Sequence, residues 1–360
     1  MVKWFVFMSC VFVSCLAVLS SCGQVKFSGG SDPSQNPPVI PPVTPSGQPR
    51  EVTFSTKVTP PNNMLDILLV IDDSNSMLPD NQKLAQKMAT FVTELGASSI
   101  DWQMCVTVTR ALTVENALTW GASVFWSEYS PAAGDGWILK PTANLSTVFS
   151  KTIDNIGAGW AGTDDERGIK AAWSHFSRSA TNKCYRPDSA IAVIMISDED
   201  ERSVGGVKAL EYYADESKLL EDEDKPESLL AQIKKVFGES KRFTFNSIIV
   251  KPEDSACMTE QDASGAKSHY GKSYSSMSTL TGGGIGSICA ADFSTNLNLF
   301  KGIIQETMGS FPLECIPIDT VTTTIEPAFT TTQTIDGPKI NFEPKIPAGR
   351  QLTLKYKCAK

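Results

Sequence analysis

The sequence has very few histidines and no basic stretch, and each of these absences excludes a class of function. Its 360 residues include two histidines, His175 and His269. Neither stands at a spacing typical of zinc ligands, so we do not expect a zinc site. The formal net charge is −8, and no run of Lys or Arg offsets it. We therefore expect no nucleic-acid partner, whereas cations remain suitable ligands.

The chain has a single long uncharged apolar run. It extends from Trp4 to Leu19 and follows one early cation, Lys3. This run is shorter than the roughly 20 residues that a membrane-spanning helix needs. It is typical of the hydrophobic segment of a secretory signal peptide. Since no second run of this kind follows, we expect residues 1–21 to be a signal peptide and the remainder to be exported.

The stretch "LSSC" at residues 19–22 closes this segment. An aliphatic residue, two small residues and a cysteine resemble the lipidation signal of bacterial lipoproteins, whose cysteine is acylated and becomes the new N-terminus. The resemblance implies that Cys22 is a lipid anchor, and several acyl chains hold a protein durably on a membrane. Gly23 follows where an Asp would direct retention, which implies the outer membrane of a Gram-negative bacterium, on its periplasmic or cell-surface face. The alternative is an ordinary signal peptide with a chance cysteine.

The cysteines indicate disulfides. Of the nine in the sequence, two lie in the signal peptide and one is Cys22. The six that remain are an even number in an exported chain, which favours paired cysteines. The predicted pairs are Cys257–Cys289, Cys315–Cys358 and Cys105–Cys184. Cys105 lies inside a predicted core strand, so a buried thiol is the alternative there.

The chain divides into a linker and two folded parts. Residues 22–57 are rich in Pro, Gly and Ser; "PSQNPPVIPPVTPSGQP" cannot build a core and favours polyproline II. In residues 58–310, apolar strands such as "LDILLVI" and "SAIAVIMIS" alternate with helical patterns. This alternation predicts a doubly wound α/β fold, with a mostly parallel, Rossmann-like sheet covered on both faces. Residues 311–360 are rich in Thr, Val and Ile without a helical period, which predicts a small C-terminal β subdomain.

Oxygen-bearing side chains follow two of the strongest predicted strands. Asp72, Ser74 and Ser76 come directly after "LDILLVI", and Asp198 comes directly after "SAIAVIMIS". Ligands of open α/β sheets bind beyond the carboxyl ends of the strands. Carboxylates and hydroxyls are ligands suited to Mg²⁺ or Mn²⁺ rather than to zinc. The sequence therefore predicts a divalent-cation site, although Asp and Ser at residues 72–76 also fit a helix N-cap cluster.

The Asp72-x-Ser74-x-Ser76 motif after an apolar strand resembles the metal-ion-dependent adhesion site of von Willebrand factor A domains. That family takes a Thr from a third loop, and "GWAGTDDERG" offers Thr163, with Asp165 as an alternative ligand. The family also has an Asp after a later core strand, which corresponds to Asp198, and "TGG" before its last strand, as in "STLTGGGIGSIC". The three acidic residues that follow Asp198, at 199–201, are expected to form a solvated turn.

The resemblance implies a binding function. In that family the metal keeps one open position, which an Asp or Glu of a protein partner fills. We therefore expect an adhesion module displayed on the bacterial envelope by its lipid anchor; a periplasmic envelope-assembly factor using the same site is the alternative. A phosphoryl-transfer enzyme with an Asp nucleophile is a minor alternative, because such enzymes have a second Asp where this chain has Ser74. No Ser–His–Asp or Cys–His set is evident in the sequence, so we expect no enzyme.

Overall fold

The computed structural model describes residues 49–58, 63–114, 117–131, 136–157, 166–178, 183–202, 220–263 and 268–359. The strands are β1 (Arg50–Lys57), β2 (Met64–Ile71), β3 (Asp101–Val108), β4 (Leu112–Val114), β5 (Ala117–Thr119), β6 (Ala190–Ser197), β7 (Phe243–Ile249), β8 (Ile285–Ser287), β9 (Phe311–Pro312), β10 (Thr322–Glu326), β11 (Thr332–Asp336), β12 (Lys339–Glu343) and β13 (Gln351–Cys358). The α-helices are α1 (Leu78–Ala97), α2 (Leu145–Gly157), α3 (Gly168–Ser177), α4 (Pro226–Phe237), α5 (Ser255–Asp262), α6 (Lys272–Leu280) and α7 (Ser294–Gly309). Among the described helices, none combines the length and the apolar composition that crossing a bilayer requires.

Five strands form the central sheet, in the order β3-β2-β6-β7-β8, and every neighbouring pair is parallel. Strand β6 is buried along its whole length and β2 along nearly all of it. Strands covered on both faces need apolar residues at successive positions, which explains their unbroken aliphatic sequences. The chain moves from β2 outward to β3 and then returns to the other side of β2 with β6. The carboxyl ends of β2 and β6 therefore flank a topological switch point, where ligands of such folds bind.

Helices cover both faces of this sheet. Leu69 and the other odd-numbered residues of β2 pack in one core with α1, α2 and α7. Leu68 and Val70 point the other way and pack in a second core with α3, α4 and α6. The alternation of side chains along a strand thus supplies two hydrophobic layers from one apolar segment. This arrangement confirms the predicted doubly wound α/β fold.

A separate β region contains two three-stranded antiparallel sheets, with orders β1-β13-β10 and β11-β12-β9. Strand β1 pairs with β13 over its full length, from Arg50 opposite Cys358 to Lys57 opposite Gln351. The predicted linker at 22–57 was therefore wrong at its C-terminal end, and the C-terminal β subdomain predicted at 311–360 also includes a strand that precedes the α/β domain. The linker prediction failed because the alternating, largely polar "REVTFSTK" is a half-buried strand whose partner is about 300 residues away. Residues 1–48, with the predicted signal peptide and Cys22, lie outside the described residues.

All three predicted disulfides are formed. Cys105–Cys184, Cys257–Cys289 and Cys315–Cys358 have Cα–Cα distances of 6.0, 5.6 and 5.9 Å. Cys105 is buried in β3, but it is bonded to Cys184 and is not the buried thiol considered as an alternative. Cys315–Cys358 ties the start of the C-terminal segment to the end of β13 and so closes the β region.

The β region contacts the α/β domain on the side away from the switch point. The ammonium of Lys339, in β12, donates to the carbonyl of Gly282 at 2.8 Å and to Thr307 Oγ1 at 3.1 Å. Gly282 lies just before the amino end of β8. This contact therefore lies at the amino end of β8, opposite the carboxyl ends of the parallel strands.

Gly283, in the predicted "TGG" segment, lies against the backbone of β7. A Cβ built on Gly283 would lie 1.9 Å from the carbonyl oxygen of Phe245 in β7, whereas a Cβ on Gly302 in α7 meets nothing within 4 Å. We expect Gly283→Ala to lower the free energy of unfolding by about 3 kcal/mol through overpacking. Gly302→Ala is the control and should raise it by up to about 1 kcal/mol. Denaturant unfolding measures both, and a neutral Gly283→Ala would contradict the close approach.

Candidate metal centre

Asp72 is the first residue beyond β2, and its side chain is completely buried. Its N–H donates to the carbonyl of Ile196 at 3.0 Å, which extends the pairing of β2 with β6 by one residue. Asp72 Oδ1 accepts from the N–H of Ser74 at 2.8 Å, and Oδ2 accepts from Ser197 Oγ at 2.6 Å. Asn81 Nδ2, in α1, donates to the Asp72 carbonyl at 2.9 Å. The carboxylate is therefore held in place by β2, β6 and the loop between β2 and α1.

The two serines of the motif lie beside this carboxylate. Ser74 Oγ and Ser76 Oγ are 2.9 Å apart, and Ser76 Oγ donates to Asp198 Oδ1 at 3.2 Å. Asp198 directly follows β6, and the backbone N–H of His269 donates to its carbonyl at 2.8 Å. The structure thus brings together four of the predicted ligand residues, from two loops that are 122 residues apart in sequence.

The competing interpretation of these residues as a helix N-cap cluster is wrong. Ser74 occupies the N-cap position of a short 3₁₀ helix, Asn75–Met77, but its side chain makes no capping hydrogen bond. The N-cap of α1 is Met77, which likewise has none. The hydroxyls of Ser74 and Ser76 face each other instead of the backbone. Both residues are half-buried, so the pair lies between the buried carboxylates and solvent.

The third loop contributes a residue that the sequence analysis missed. Thr163 and Asp165 lie outside the described residues, but Glu166 is described and is buried. One oxygen each of Asp72, Asp73 and Glu166 lie within 4.8 Å of one another. Glu166 Oε2 also accepts a hydrogen bond from Thr109 Oγ1, at the end of β3. The available signal was the run of three acidic residues just before α3, in the loop already singled out for Thr163.

Among the described residues, Arg110 offsets part of this negative charge. Arg110 lies in the loop after β3, and its Nε and Nη2 each lie 3.0 Å from one carboxylate oxygen of Asp73. Nη2 also donates to the Asp73 carbonyl at 3.0 Å, and Nε lies 3.6 Å from Glu166 Oε1. The sequence signal was its position directly after a predicted core strand, where site residues of such sheets lie.

Burial raises the cost of ionising these carboxyl groups. Desolvation raises the pKa of Asp72 and holds the pKa of Asp198 well above its ordinary value, with the charge of Asp72 adding to the effect. The pKa of Glu166 is likewise well raised, by burial and then by the charges of Asp72, Glu199 and Asp73. Within the described ranges, no Lys or Arg forms a salt bridge with Asp72 or Asp198.

These donors fit a divalent cation. Buried carboxylates with raised pKa values are stabilised when a cation is placed beside them. The oxygens present here come from two serine hydroxyls and from buried carboxylates, which is a ligand set suited to Mg²⁺ or Mn²⁺. The imidazole of His175 belongs to a different cluster, where it lies between Ser123 Oγ at 3.0 Å and Tyr185 OH at 2.6 Å. Burial lowers the pKa of His175 to about 3, so its imidazole is neutral.

The expectation of a solvated turn at 199–201 was wrong, because all three acidic residues are buried. The carboxylate of Glu201 accepts from the N–H groups of Ile169 and Lys170, at 2.7 and 3.0 Å, in the first turn of α3. The carboxylate of Asp200 accepts from the N–H of Ser273, at 2.9 Å, in the first turn of α6. Helix N-termini have unpaired N–H groups that favour carboxylates. This acidic loop therefore joins two helices and fixes the position of Asp198.

The pKa shifts predict how the metal and pH act on stability. Because the folded-state pKa of Asp72 is raised, its stabilising contribution is present below the unfolded pKa of about 4 and is lost as pH rises through the folded pKa. We expect the metal-free protein to lose stability on this account as pH rises above about 4. Magnesium at about a hundred times its Kd should restore about 2.7 kcal/mol at neutral pH.

Asp72→Asn isolates this effect. The amide keeps an acceptor for the Ser74 N–H and a polar group beside Ser197, but it removes the buried charge. At neutral pH we expect the metal-free variant to be more stable than the metal-free native protein, and to show no shift in melting temperature with Mg²⁺. Asp154→Asn, at an exposed position of α2, should behave like the native protein. A magnesium-dependent shift of native size in Asp72→Asn would contradict the assignment.

No protein-family model and no curated protein matches the chain. Among solved structures, it is similar to the human COPII-coat protein Sec24c, with 10% identity over 85% of this chain and 46% of that one, at a TM-score of 0.39. It is similar to proximal thread matrix protein 1 from the mussel byssus, with 14% identity over 73% and 50% of the two chains, at a TM-score of 0.34.

A third similar structure is the manganese-loaded TRAP protein of Plasmodium vivax, with 14% identity over 71% of this chain and 78% of that one, at a TM-score of 0.35. The chain spans about half the length of the first two structures. Similarity at these scores carries no argument about function. The α/β fold described above rests on the strand order and the two helical layers of the chain itself.

Proposed function

We propose that this chain is a metal-dependent binding module that captures a protein partner through an acidic residue of that partner. The observation that carries the proposal is the convergence of Asp72, Ser74, Ser76 and Asp198 at the switch point between β2 and β6. Two carboxylates without a described salt-bridge partner and two facing hydroxyls form a ligand set for one divalent cation. The adhesion-site motif in the sequence supports the same function.

Several residues would coordinate the cation together. Ser74 and Ser76 offer neutral oxygens, and Asp72 and Asp198 offer carboxylates, either directly or through water. Glu166 adds a carboxylate from the third loop, whereas the contributions of Thr163 and Asp165 remain predictions. A bound Mg²⁺ or Mn²⁺ supplies the positive charge that attracts a partner's Asp or Glu, and Mg²⁺ keeps exchangeable waters that such a group can replace.

Binding fits the site better than catalysis by an aspartate nucleophile. Both carboxylate oxygens of Asp72 accept hydrogen bonds, from the Ser74 N–H and from Ser197 Oγ. The residue is also completely buried, so neither oxygen is exposed for attack on a bulky phosphoryl group. Ser74 stands where a phosphoryl-transfer enzyme would have its second Asp. We therefore propose a binding protein and not an enzyme.

We further propose that the module is displayed on the outer membrane of a Gram-negative bacterium. The support is the signal peptide predicted at 1–21, the lipidation signal at Cys22 and the Pro-rich linker after it. Three disulfides agree with an exported, oxidising location. Mass spectrometry of the mature N-terminus tests the acylation of Cys22, and an unmodified start further downstream would contradict it.

An envelope-assembly factor that faces the periplasm is the second candidate, since the same lipid anchor and metal site would serve it. Antibody or protease access to the β region on intact cells separates the two. Access without permeabilisation supports surface adhesion, and access only after permeabilisation supports the periplasmic role.

The functional test is cation-dependent binding to isolated envelope fractions. We expect the purified protein to bind in Mg²⁺, to be released by EDTA, and to lose binding to background when Asp72 is replaced by Ala. The fold should survive, because Asp72 lies beyond the carboxyl end of β2 and outside both hydrophobic cores; the melting curve checks this. Asp154→Ala is the matched control and should bind like the native protein. Binding that is unchanged by both EDTA and Asp72→Ala would show that the metal site does not mediate capture.

A further inference from the structure

We propose that Arg110 is a second anchor for the partner's acidic group, so that one carboxylate contacts both the cation and the guanidinium. This inference rests on the binding function proposed above and identifies a further residue of the same site. It begins with the position of Arg110, which follows β3 at the same edge of the sheet as Asp72 and Asp198. Its side chain is mostly buried, with 16% exposed.

The hydrogen bonds of Arg110 occupy one side of its guanidinium. Nε and Nη2 bind the two carboxylate oxygens of Asp73, and Nη2 also binds the Asp73 carbonyl. These bonds fix the plane of the group. A guanidinium has five N–H donors in a rigid arrangement, and two of them are on Nη1. Within the described parts of the chain Nη1 makes no hydrogen bond, so a fixed donor is left for an outside acceptor.

The charges of the site favour an anionic acceptor at this donor. Four buried carboxylates lie in or beside the proposed site: those of Asp72, Asp73 and Glu166, which have one oxygen each within 4.8 Å of one another, and that of Asp198, which accepts from Ser76. Their negative charge exceeds that of one divalent cation, which by itself would weaken the attraction of a further anion. Arg110 offsets the charge of Asp73 and lies 3.6 Å from Glu166. It therefore makes a site with so many carboxylates compatible with an incoming carboxylate.

A carboxylate suits a cation paired with an arginine better than a single-atom anion does. A carboxylate has two oxygens, so one can replace a water on the cation while the other accepts from Nη1. Arginine pairs with carboxylates in this charge-assisted way more strongly than neutral donors do. Arg110 and the metal together would therefore select an Asp or Glu side chain, and a neutral amide of the same shape would bind poorly.

Acetate and Mn²⁺ serve as probes, because the partner is not identified. Mn²⁺ affinity is measured by electron paramagnetic resonance, and acetate binding by the relaxation of its methyl protons near bound Mn²⁺. We expect saturable acetate binding to the Mn²⁺-loaded protein and none of comparable strength for acetamide. Arg110→Gln should weaken acetate binding about tenfold, while Mn²⁺ affinity increases because a nearby positive charge is gone.

Two further variants make the result decisive. Arg50→Gln removes an arginine that pairs with Glu314 in the β region, and it should behave like the native protein. Arg110→Lys keeps the charge but not the rigid second donor, and should weaken acetate binding severalfold even if Arg110→Gln fails to fold. Native acetate affinity in the Arg110 variants would overturn the inference while leaving the metal site intact. Failure of the native protein to bind Mn²⁺ would instead overturn the proposed function, and this inference with it.

Discussion

The burial of Asp72 and Asp198 at adjacent strand ends is the constraint on which the rest of the site depends. Both carboxylates are shielded from water, which raises the pKa of each, and the charge of Asp72 raises the pKa of Asp198 further. Such a pair is unfavourable unless hydrogen bonds and a cation compensate for the lost hydration. Ser197, the Ser74 N–H and Ser76 supply the hydrogen bonds. The remaining negative charge is what gives the site its affinity for a divalent cation.

The surrounding structure keeps these groups in place without neutralising them. Asn81 holds the backbone of Asp72 from α1, and His269 holds that of Asp198. Two acidic residues after Asp198 do not face the cation position. The carboxylates of Glu201 and Asp200 accept from the N-terminal N–H groups of α3 and α6 instead. Arg110 pairs with Asp73 and not with Asp72. The one described arginine of the site therefore reduces the total charge and leaves the two central carboxylates available.

The sequence predicted the parts of this arrangement that depend on local pattern. Strands β2 and β6 are recognisable because strands buried on both faces require unbroken apolar segments, and the residues beyond their ends must meet at the switch point. Strand β1 was missed because its partner, β13, is at the other end of the chain. Glu166 was missed, and the acidic residues at 199–201 were wrongly expected to be solvated, because acidic residues are mostly exposed. The sequence does not show which N–H groups pair with these buried carboxylates, because the helix N-termini and loops concerned are distant in sequence and meet only in the fold.

The most direct test of a cation site at this switch point is a crystal structure of the protein grown with Mn²⁺, with anomalous diffraction measured at the manganese edge. The account predicts one strong anomalous peak within coordination distance of Ser74 Oγ and Ser76 Oγ, and adjacent to the carboxylates of Asp72 and Asp198. A fully ordered site without an anomalous peak there, or a peak bound only by exposed acidic residues elsewhere, would contradict it.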